Sequence, residues 1–299
     1  MTSVLFICLC IIWSTTWMGI KIGLDYFPPF IFAGIRFAIA AVFLFVLLKI
    51  EKKELYLRWE KIFPAVVFGA LNGIAYGLVY WGEQYISSGL ASILNSVLPF
   101  FSAVIAYFFL KEPLNPAKII GLIIGFLGIL FIFSDGSEQF SSGNFNAKFV
   151  MVISAFIFAF AGAYTKKYKV DLHPLQVVTV QMATSAIVLL AVGLPMEYNS
   201  EIIISLPGIL SLLYLSILGS AIAFLIYYNL LLRIEVTKVA YLNFITPPAA
   251  VLIGAIFLNE PINLRVIGGL IIIFVGLAIM NYNEITDIKK KKDKESAHT

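Results

Sequence analysis

The chain is poor in charge and in side chains that bind metals or form disulfides. Only 13% of its residues are charged and 61% are hydrophobic, whereas a soluble domain has about 25% charged and about 45–50% apolar residues. It has two cysteines, Cys8 and Cys10, and two histidines, His173 and His298. Such scarcity excludes a disulfide framework and disfavours a metal site of Cys and His. We expect a protein of the lipid bilayer without metal or cofactor, whose net charge of +4 does not indicate nucleic-acid binding.

Catalytic motifs are absent as well. The sequence contains no HExxH zinc motif, no GxSxG nucleophile motif and no cluster of Asp and His. An integral-membrane enzyme needs a nucleophile, paired carboxylates or a metal cluster at an accessible depth. The sequence therefore predicts a protein that is not an enzyme.

Apolar segments long enough to cross a membrane make up most of the chain. One spanning helix needs about 20 mostly apolar residues, and turn-forming pairs such as Pro28-Pro29 and Leu206-Pro207 separate such segments here. The sequence predicts an all-α membrane protein with ten spans, numbered in chain order: roughly 2–24, 29–49, 61–83, 88–110, 116–134, 146–166, 173–194, 207–230, 236–258 and 263–282.

The positions of lysine and arginine predict the orientation of these spans. With the N-terminus inside, 17 of the 21 basic residues lie in inside loops or in the C-terminal tail. Only Lys21, Lys148 and Arg265 then lie in outside loops. Because cytoplasmic loops carry the excess of positive charge, we expect both termini on the cytoplasmic side of a bacterial plasma membrane.

The chain repeats itself at an offset of 148 residues. Without gaps, 15 of the 35 positions from 95 to 129 are identical to their partners 148 residues later. Five spans per half is an odd number, so the second copy enters the membrane in the opposite sense. We predict two inverted five-helix repeats around a central cavity. The predicted divisions are a first repeat at 1–134, an external linker at 135–147, a second repeat at 148–283 and a basic cytoplasmic tail at 284–299.

Each copy places proline in the middle of a span. Pro99 lies at the centre of span four, and Pro247, followed by Pro248, lies at the centre of span nine. Proline lacks the N–H group that would bind the carbonyl four residues earlier, so the carbonyls of Asn95 and Asn243 become free. A free carbonyl at membrane depth must face protein or a water-filled cavity. The pattern predicts paired helix breaks, the second one stronger, that are either structural kinks or part of a transport site.

Span three carries two stripes at helical spacing. One consists of small residues that let another helix approach closely: Gly69, Gly73 and Gly77. The other is polar and lies beside it: Asn72, Tyr76 and Tyr80. The polar stripe is a candidate cavity wall, with Asn72 and Tyr76 at the deeper positions. Tyr80 and its counterpart Tyr228 also fit an aromatic belt at the membrane interface.

Arg36 is the charged residue that lies well inside a predicted span. It is about seven residues into span two, or about 10 Å deep at about 1.5 Å per residue. An arginine there can attract a substrate carboxylate or phosphate. It can equally hold backbone carbonyls between helices or extend its head group to the interface. Its counterpart in the second copy is the neutral Gln181.

Carboxylates lie at the ends of the spans and not at their centres. Glu112 and its counterpart Glu260 each precede the first turn of the next helix, where a carboxylate suits the positive end of the helix dipole. We predict a structural role for both at these elbows. Glu83 lies at the end of span three. With no buried carboxylate in prospect for a proton relay, we expect transport that is facilitated or only weakly coupled.

These residues resemble a known family, the EamA branch of the drug/metabolite transporter superfamily. The resemblance covers roughly residues 2–282. It rests on Trp13-Ser-Thr-Thr-Trp17-Met-Gly19, on Arg36-Phe37, on Ser88-Gly89-Leu90-Ala91 followed by Pro99, Glu112 and Gly121, and on Lys238-Val239-Ala240 followed by Pro247, Glu260 and Gly269. One departure is Ser14, where the family usually has glycine, and it leaves open whether Trp13 or Trp17 is the cavity residue.

The resemblance implies a cavity lined mainly by spans one, three, four, six, eight and nine, and efflux of small metabolites. On this chain the cavity would include Trp17, Asn72, Tyr76, Asn95, Tyr164, Ser220 and Asn243. We add Tyr80, and we expect no metal ligand and no catalytic residue among them.

The favoured function is export of small polar or amphipathic metabolites, such as amino acids, by alternating access. Aromatic walls suit amphipathic solutes. Uptake or exchange of phosphorylated or nucleotide-linked solutes is an alternative, but it needs several cations where Arg36 stands alone. A membrane enzyme or a receptor is the alternative of another class, and it leaves the inverted duplication unexplained. The expected partners are a small-molecule substrate and the lipid bilayer, not nucleic acid, and the chain is expected as a monomer or a homodimer.

Overall fold

The computed structural model describes residues 2–53, 58–134, 142–168, 172–233 and 242–282, and the regular structure of these ranges is entirely helical. Eight helical segments are long and apolar enough to cross a membrane, and two shorter apolar helices cover Ile245–Phe257 and Leu264–Met280. The prediction of ten helical spans in an all-α fold is therefore confirmed. The predicted tail 284–299, residues 135–141 of the predicted linker and the motif Lys238-Val239-Ala240 lie outside the described residues.

Seven of the spans are single α-helices in the described ranges. Their bounds are Thr2–Leu24 for span one, Pro29–Ile50 for span two, Trp59–Glu83 for span three, Pro116–Phe133 for span five, Ser142–Lys167 for span six, Pro174–Met196 for span seven and Leu264–Met280 for span ten. Span six begins four residues before the predicted start at 146, because the polar residues Ser142, Gly143 and Asn144 continue the helix beyond its apolar part.

Polar side chains cap the starts of several spans. The Asn115 side chain accepts a hydrogen bond from the Lys118 N–H at 2.8 Å, with Pro116 at the first helical position. Its counterpart Asn263 accepts from the Arg265 N–H at 2.8 Å. Such caps satisfy backbone donors that the first turn of a helix leaves free. The equivalent caps show that the repeated sequence produces the same local structure in both halves.

Span four breaks where the proline predicts. It consists of the helices Ser88–Asn95 and Leu98–Ile105, followed by a π-helical segment, Ala106–Leu110. The break falls at Ser96 and Val97, directly before Pro99. The Phe100 N–H then donates to the Val97 carbonyl at 3.0 Å and starts the second helix.

Span nine does not break in the same way. The helix Leu242–Phe257 runs without interruption through Pro247 and Pro248, so the prediction of a stronger second break is wrong. Each proline still removes one backbone hydrogen bond, to the carbonyl of Asn243 or of Phe244, but the helix continues through the pair.

Spans five and ten pack against each other through equivalent glycines of the two repeats. A Cβ added to Gly121 would lie 2.5 Å from the Gly276 carbonyl oxygen, and one added to Gly276 would lie 2.7 Å from the Gly121 carbonyl oxygen. Gly128 meets Gly269 in the same way, at 3.1 Å from its carbonyl oxygen. Gly121 corresponds to Gly269 and Gly128 to Gly276 at the 148-residue offset. Exchange of the two halves therefore turns the contact between Gly121 and Gly276 into the contact between Gly269 and Gly128. This is the contact pattern of a two-fold axis between the halves.

Other pairs of helices follow the same two-fold relation. Span two packs along span seven, which is its counterpart in the second half, and span three packs along spans six and seven. The glycine stripe of span three faces span seven, as predicted for a close helix contact. A Cβ on Gly69 would lie 2.7 Å from the Gln181 carbonyl oxygen. Backbones at this distance fix the position of the polar stripe next to the glycines.

Candidate functional site

Arg36 lies at the centre of a buried polar cluster between spans two, three and eight. Its side chain is only 1% exposed. Nε donates to Ser220 Oγ at 2.8 Å, one Nη donates to the Tyr80 hydroxyl at 2.8 Å and the other donates to the Gly219 carbonyl at 3.3 Å. Of the roles that the sequence left open, extension to the interface is therefore wrong. The guanidinium points inward and joins two other spans.

Aromatic rings enclose the guanidinium. Its Cζ lies 5.2 Å from the ring centroids of Phe37 and Tyr76 and 5.9 Å from that of Tyr80. The Tyr76 ring also meets Phe158 of span six edge-on, with centroids 5.0 Å apart. A cation within about 6 Å of a ring face is attracted by the ring quadrupole. The rings stabilise the charge of Arg36 without neutralising it.

The charge of Arg36 has no partner of opposite sign in contact. In the part of the chain that the structure describes, the salt bridges join Lys53 to Glu51 and Lys166 to Glu112. A guanidinium has five N–H donors; the bonds to Ser220, Tyr80 and Gly219 engage all three of its nitrogens, and the Tyr76 hydroxyl is a further hydrogen-bond partner. A planar cation among aromatic rings, with neutral partners alone, is suited to attract a carboxylate ligand.

An irregular helix presents two of the partners of Arg36. Span eight is α-helical over Leu206–Tyr214, π-helical over Leu215–Ile222 and α-helical again over Ala223–Arg233. Gly219 and Ser220 lie in the π-helical segment, where the backbone is wider and the carbonyls are more open. Such segments occur often at functional sites. The sequence contains no signal for the π-helix, and only the family resemblance predicts Ser220 as a cavity residue.

Tyr80 belongs to the cluster and not to an aromatic belt. It is 0% exposed, its hydroxyl accepts from Arg36, and its ring meets Phe32 edge-on at 5.2 Å. The belt interpretation of Tyr80 is wrong because span two covers this end of span three. The counterpart Tyr228 is half-buried, and its ring contacts Tyr227 at 6.0 Å.

The other predicted cavity residues make contacts elsewhere or lie half-buried. The Asn72 amide is 3.5 Å from Ser185 Oγ on span seven, and the Asn95 amide is 3.5 Å from Ser154 Oγ on span six. The Tyr164 ring lies against Tyr168, with centroids 4.7 Å apart. Trp17 and Asn243 are half-buried, and Trp13 packs on Phe224 and Tyr227 of span eight. Of the predicted residues, the structure brings Tyr76, Tyr80 and Ser220 together around Arg36.

The two elbows have the same backbone and lie at opposite ends of the bundle. Lys111 and Asn259 both adopt the left-handed conformation, with φ of 60° and 54°. The Glu112 N–H donates to the Ala106 carbonyl at 3.1 Å, and the Glu260 N–H donates to the Gly254 carbonyl at 3.2 Å. Glu112 follows the end of span four and Glu260 contacts its start. We therefore call these ends the Glu112 end and the Glu260 end.

The carboxylates of the two elbows have different partners. Glu260 accepts from the Ser88 N–H and hydroxyl, both at 2.8 Å, and from the Gly89 N–H at 3.3 Å. It thereby caps the start of span four from the opposite repeat. Glu112 instead pairs with Lys166 at 2.5 Å on a partly exposed surface. The Glu260 end is thus held by a carboxylate clamp between spans four, nine and ten.

We expect Glu260→Gln to destabilise the protein more than Glu112→Gln. Glu260 makes charge-assisted bonds to backbone donors, which are worth about 1.5–3 kcal/mol each, whereas an exposed salt bridge contributes about 0–1 kcal/mol. Thermal unfolding of the purified proteins in one detergent measures both changes. Equal shifts in the two variants would show that the clamp adds no stability beyond an exposed pair.

Glu83 is a buried carboxyl group that its position at the end of a span did not predict. It is 0% exposed, and neither carboxyl oxygen has a hydrogen-bond partner within the part of the chain that the structure describes. The ammonium of Lys21 donates to the carbonyls of Glu83, Gln84 and Ile86, at 2.7, 3.3 and 2.9 Å. These bonds use all three donors of a lysine. The expectation that no carboxylate is buried in the spans is therefore wrong, because segments distant in sequence cover this one.

Comparison with known proteins agrees with this architecture. The EamA-like transporter family model matches residues 1–134 and 146–282. An uncharacterized transporter of Bacillus subtilis, YvbV, is 32% identical over 286 residues, which cover 94% of this chain and 91% of that protein. The uncharacterized inner membrane transporter YedA of Escherichia coli K12 is 26% identical over 247 residues, or 82% of this chain and 79% of that protein.

A solved structure has the same fold. It superposes with a TM-score of 0.67 at 16% identity, and the match covers 94% of this chain and 97% of the other. Two repeats related by a two-fold axis, ten helical spans and a family match over both halves lead to one conclusion. The chain belongs to the EamA-like transporter family and is a multi-pass membrane transporter.

Proposed function

We propose that the protein exports small metabolites that bear a carboxylate, amino acids above all, by alternating access. Arg36 carries the proposal, because it is a buried cation whose hydrogen-bond partners are neutral and which has no salt-bridge partner among the described residues. It would bind the substrate carboxylate. Tyr76, Tyr80 and Phe37 would contact the apolar part of the solute, since aromatic faces pack well on amphipathic molecules.

The charge of the cluster favours a monoanionic group over a phosphate. A phosphate monoester carries nearly two negative charges and is usually bound by several cations. Arg36 has the neutral Gln181 as its counterpart, and Lys21 is engaged with three carbonyls. Export of amino acids therefore fits the cluster better than exchange of phosphorylated solutes.

Solute flux from cells tests this proposal. Cells that express the protein and cells that carry an empty vector are loaded with labelled amino acids and, separately, with labelled sugar phosphates. We expect faster loss of at least one amino acid from the expressing cells and no change for the sugar phosphates. Faster loss of sugar phosphates alone, or equal loss of every solute, would contradict the proposal.

A further inference from the structure

We propose that Glu83 exchanges a proton for the ammonium group of the substrate, which makes the protein a proton-coupled antiporter. The inference rests on the function proposed above and adds its energy source and a second substrate contact. It reverses the expectation of facilitated or weakly coupled transport.

The first step is that Glu83 holds a proton in this conformation. Its carboxyl group is 0% exposed and accepts no hydrogen bond. An ionised carboxylate without solvent or donors is strongly disfavoured in a protein interior, and the group then takes up a proton instead. The neutral acid is the form that this environment stabilises.

The second step is that the surrounding charges do not replace the missing donors. The groups that act on Glu83 electrostatically are Lys21, Glu260, Arg36 and the Tyr80 hydroxyl. Lys21 and Arg36 are cations and favour the ionised form, but their donors are bonded elsewhere: Lys21 to carbonyls at the end of span three, and Arg36 to span eight and to Tyr80. Glu260 is itself an acceptor, bound to Ser88 and Gly89, and as a second carboxylate it also favours the neutral form of Glu83.

The third step is that Glu83 and Arg36 suit the two ends of one zwitterion. Tyr80, whose hydroxyl binds Arg36, lies three residues before Glu83 and therefore on the same face of span three. A solute with its carboxylate on Arg36 can direct its ammonium group to Glu83. The acid then releases its proton to water, and the carboxylate accepts hydrogen bonds from the ammonium. Release of the solute reverses the exchange, so one proton is bound for each solute that leaves.

The second repeat has no equivalent group. The counterpart of Glu83 at the 148-residue offset is Leu231. The exchange site therefore exists once in the chain, although the repeats are otherwise related by a two-fold axis. The inferred stoichiometry is therefore one proton for each solute transported.

Infrared spectroscopy of the purified full-length protein tests the proton site without a substrate. We expect a carbonyl band of a protonated carboxylic acid at neutral pH that titrates away in alkaline buffer and is absent from Glu83→Gln. Glu112→Gln is the control, because Glu112 is partly exposed and paired with Lys166, and it should keep the band. A wild-type protein without such a band would overturn the proton site, and this result needs no variant to fold.

Binding of three related probes tests the exchange. Phenylalanine has both charged groups, phenylpropionate has only the carboxylate and phenethylamine has only the ammonium. Below the titration of Glu83, wild-type affinity for phenylalanine should rise about tenfold for each unit of pH, because one proton is released per solute bound. Phenylpropionate binding should not vary with pH, and Glu83→Gln should make phenylalanine binding equally insensitive.

The outcomes separate this inference from the proposed function. Phenylalanine that binds without removing the infrared band, or with a pH-independent affinity, overturns the exchange and leaves amino-acid transport intact. Failure of both carboxylate probes to bind, with the band present, contradicts the proposed substrate class and supports only the proton site.

Discussion

If Arg36 binds the substrate carboxylate as proposed, we expect its replacement by glutamine to lower the flux of carboxylate-bearing solutes by about 100-fold. A hydrogen bond to a charged group is worth about 1.5–3 kcal/mol, and each 1.4 kcal/mol is about a factor of ten in affinity. Glutamine is the matched choice because Gln181 occupies the counterpart position in the second repeat. The variant therefore gives both halves the same neutral side chain.

Arg36→Lys separates charge from geometry in the same assay. Lysine keeps the positive charge but loses the planar fork that binds a carboxylate bidentately, so we expect an intermediate loss of about tenfold. Flux is measured in proteoliposomes at equal protein content, because Tyr80 and Ser220 also lose a partner. Wild-type flux in the glutamine variant would show that Arg36 only holds spans two and eight together.

Gly276→Ala should remove most of the folded protein from the membrane. The added methyl group would lie 2.7 Å from the carbonyl oxygen of Gly121, 2.7 Å from the backbone nitrogen of Gly125 and 3.0 Å from its Cα. These are backbone atoms, which cannot rotate away as a side chain can. Overpacking in a close-packed interior costs about 1–3 kcal/mol even where side chains adjust, so the cost here lies at or above that range.

Gly162→Ala is the matched control for the glycine contact. It makes the same chemical change inside a span, but among the described residues no atom beyond the adjacent residues of its own helix lies within 4 Å of the added methyl group. We expect its melting temperature and expression level to equal or exceed those of the wild type, since alanine favours helix. Size-exclusion profiles and thermal unfolding in detergent compare the two variants. A Gly276→Ala protein as stable as Gly162→Ala would mean that spans five and ten can move apart without cost.

The sequence was sufficient for features that depend on local pattern. Apolar length predicts the spans, the 148-residue offset predicts equivalent elbows, and Pro99 predicts the break in span four. Gly69, Gly73 and Gly77 predict a close helix contact, although not that span seven makes it. These predictions succeed because helix length, capping and small-residue packing follow from neighbouring residues along one helix.

Features that depend on contacts between distant segments could not be predicted from the sequence. Glu83 and Tyr80 both lie near the end of span three, where position alone suggests an exposed residue or an interfacial belt. Span one contacts this end of span three through Lys21, which binds the Glu83 carbonyl, and span two contacts it through Phe32, which packs on Tyr80. The π-helix around Ser220 could not be predicted either, because its residues have no unusual composition. Pro247 and Pro248 show the opposite error, in which a strong local signal predicts a break that the folded helix does not have.

One methyl group distinguishes the two elbows. The Glu260 carboxylate packs against Gly254 beside Ser88, and a Cβ on that glycine would collide with it. The counterpart of Gly254 is Ala106, so the Glu112 end carries the methyl group that the Glu260 end excludes. A transporter with identical halves would populate its two mirror-related conformations equally, because their free energies would be the same. Under the proposed alternating access, the two closures would therefore differ in free energy, and each 1.4 kcal/mol of difference would shift the resting populations about tenfold. Divergence between the two elbows would then make one of the two states the state of rest.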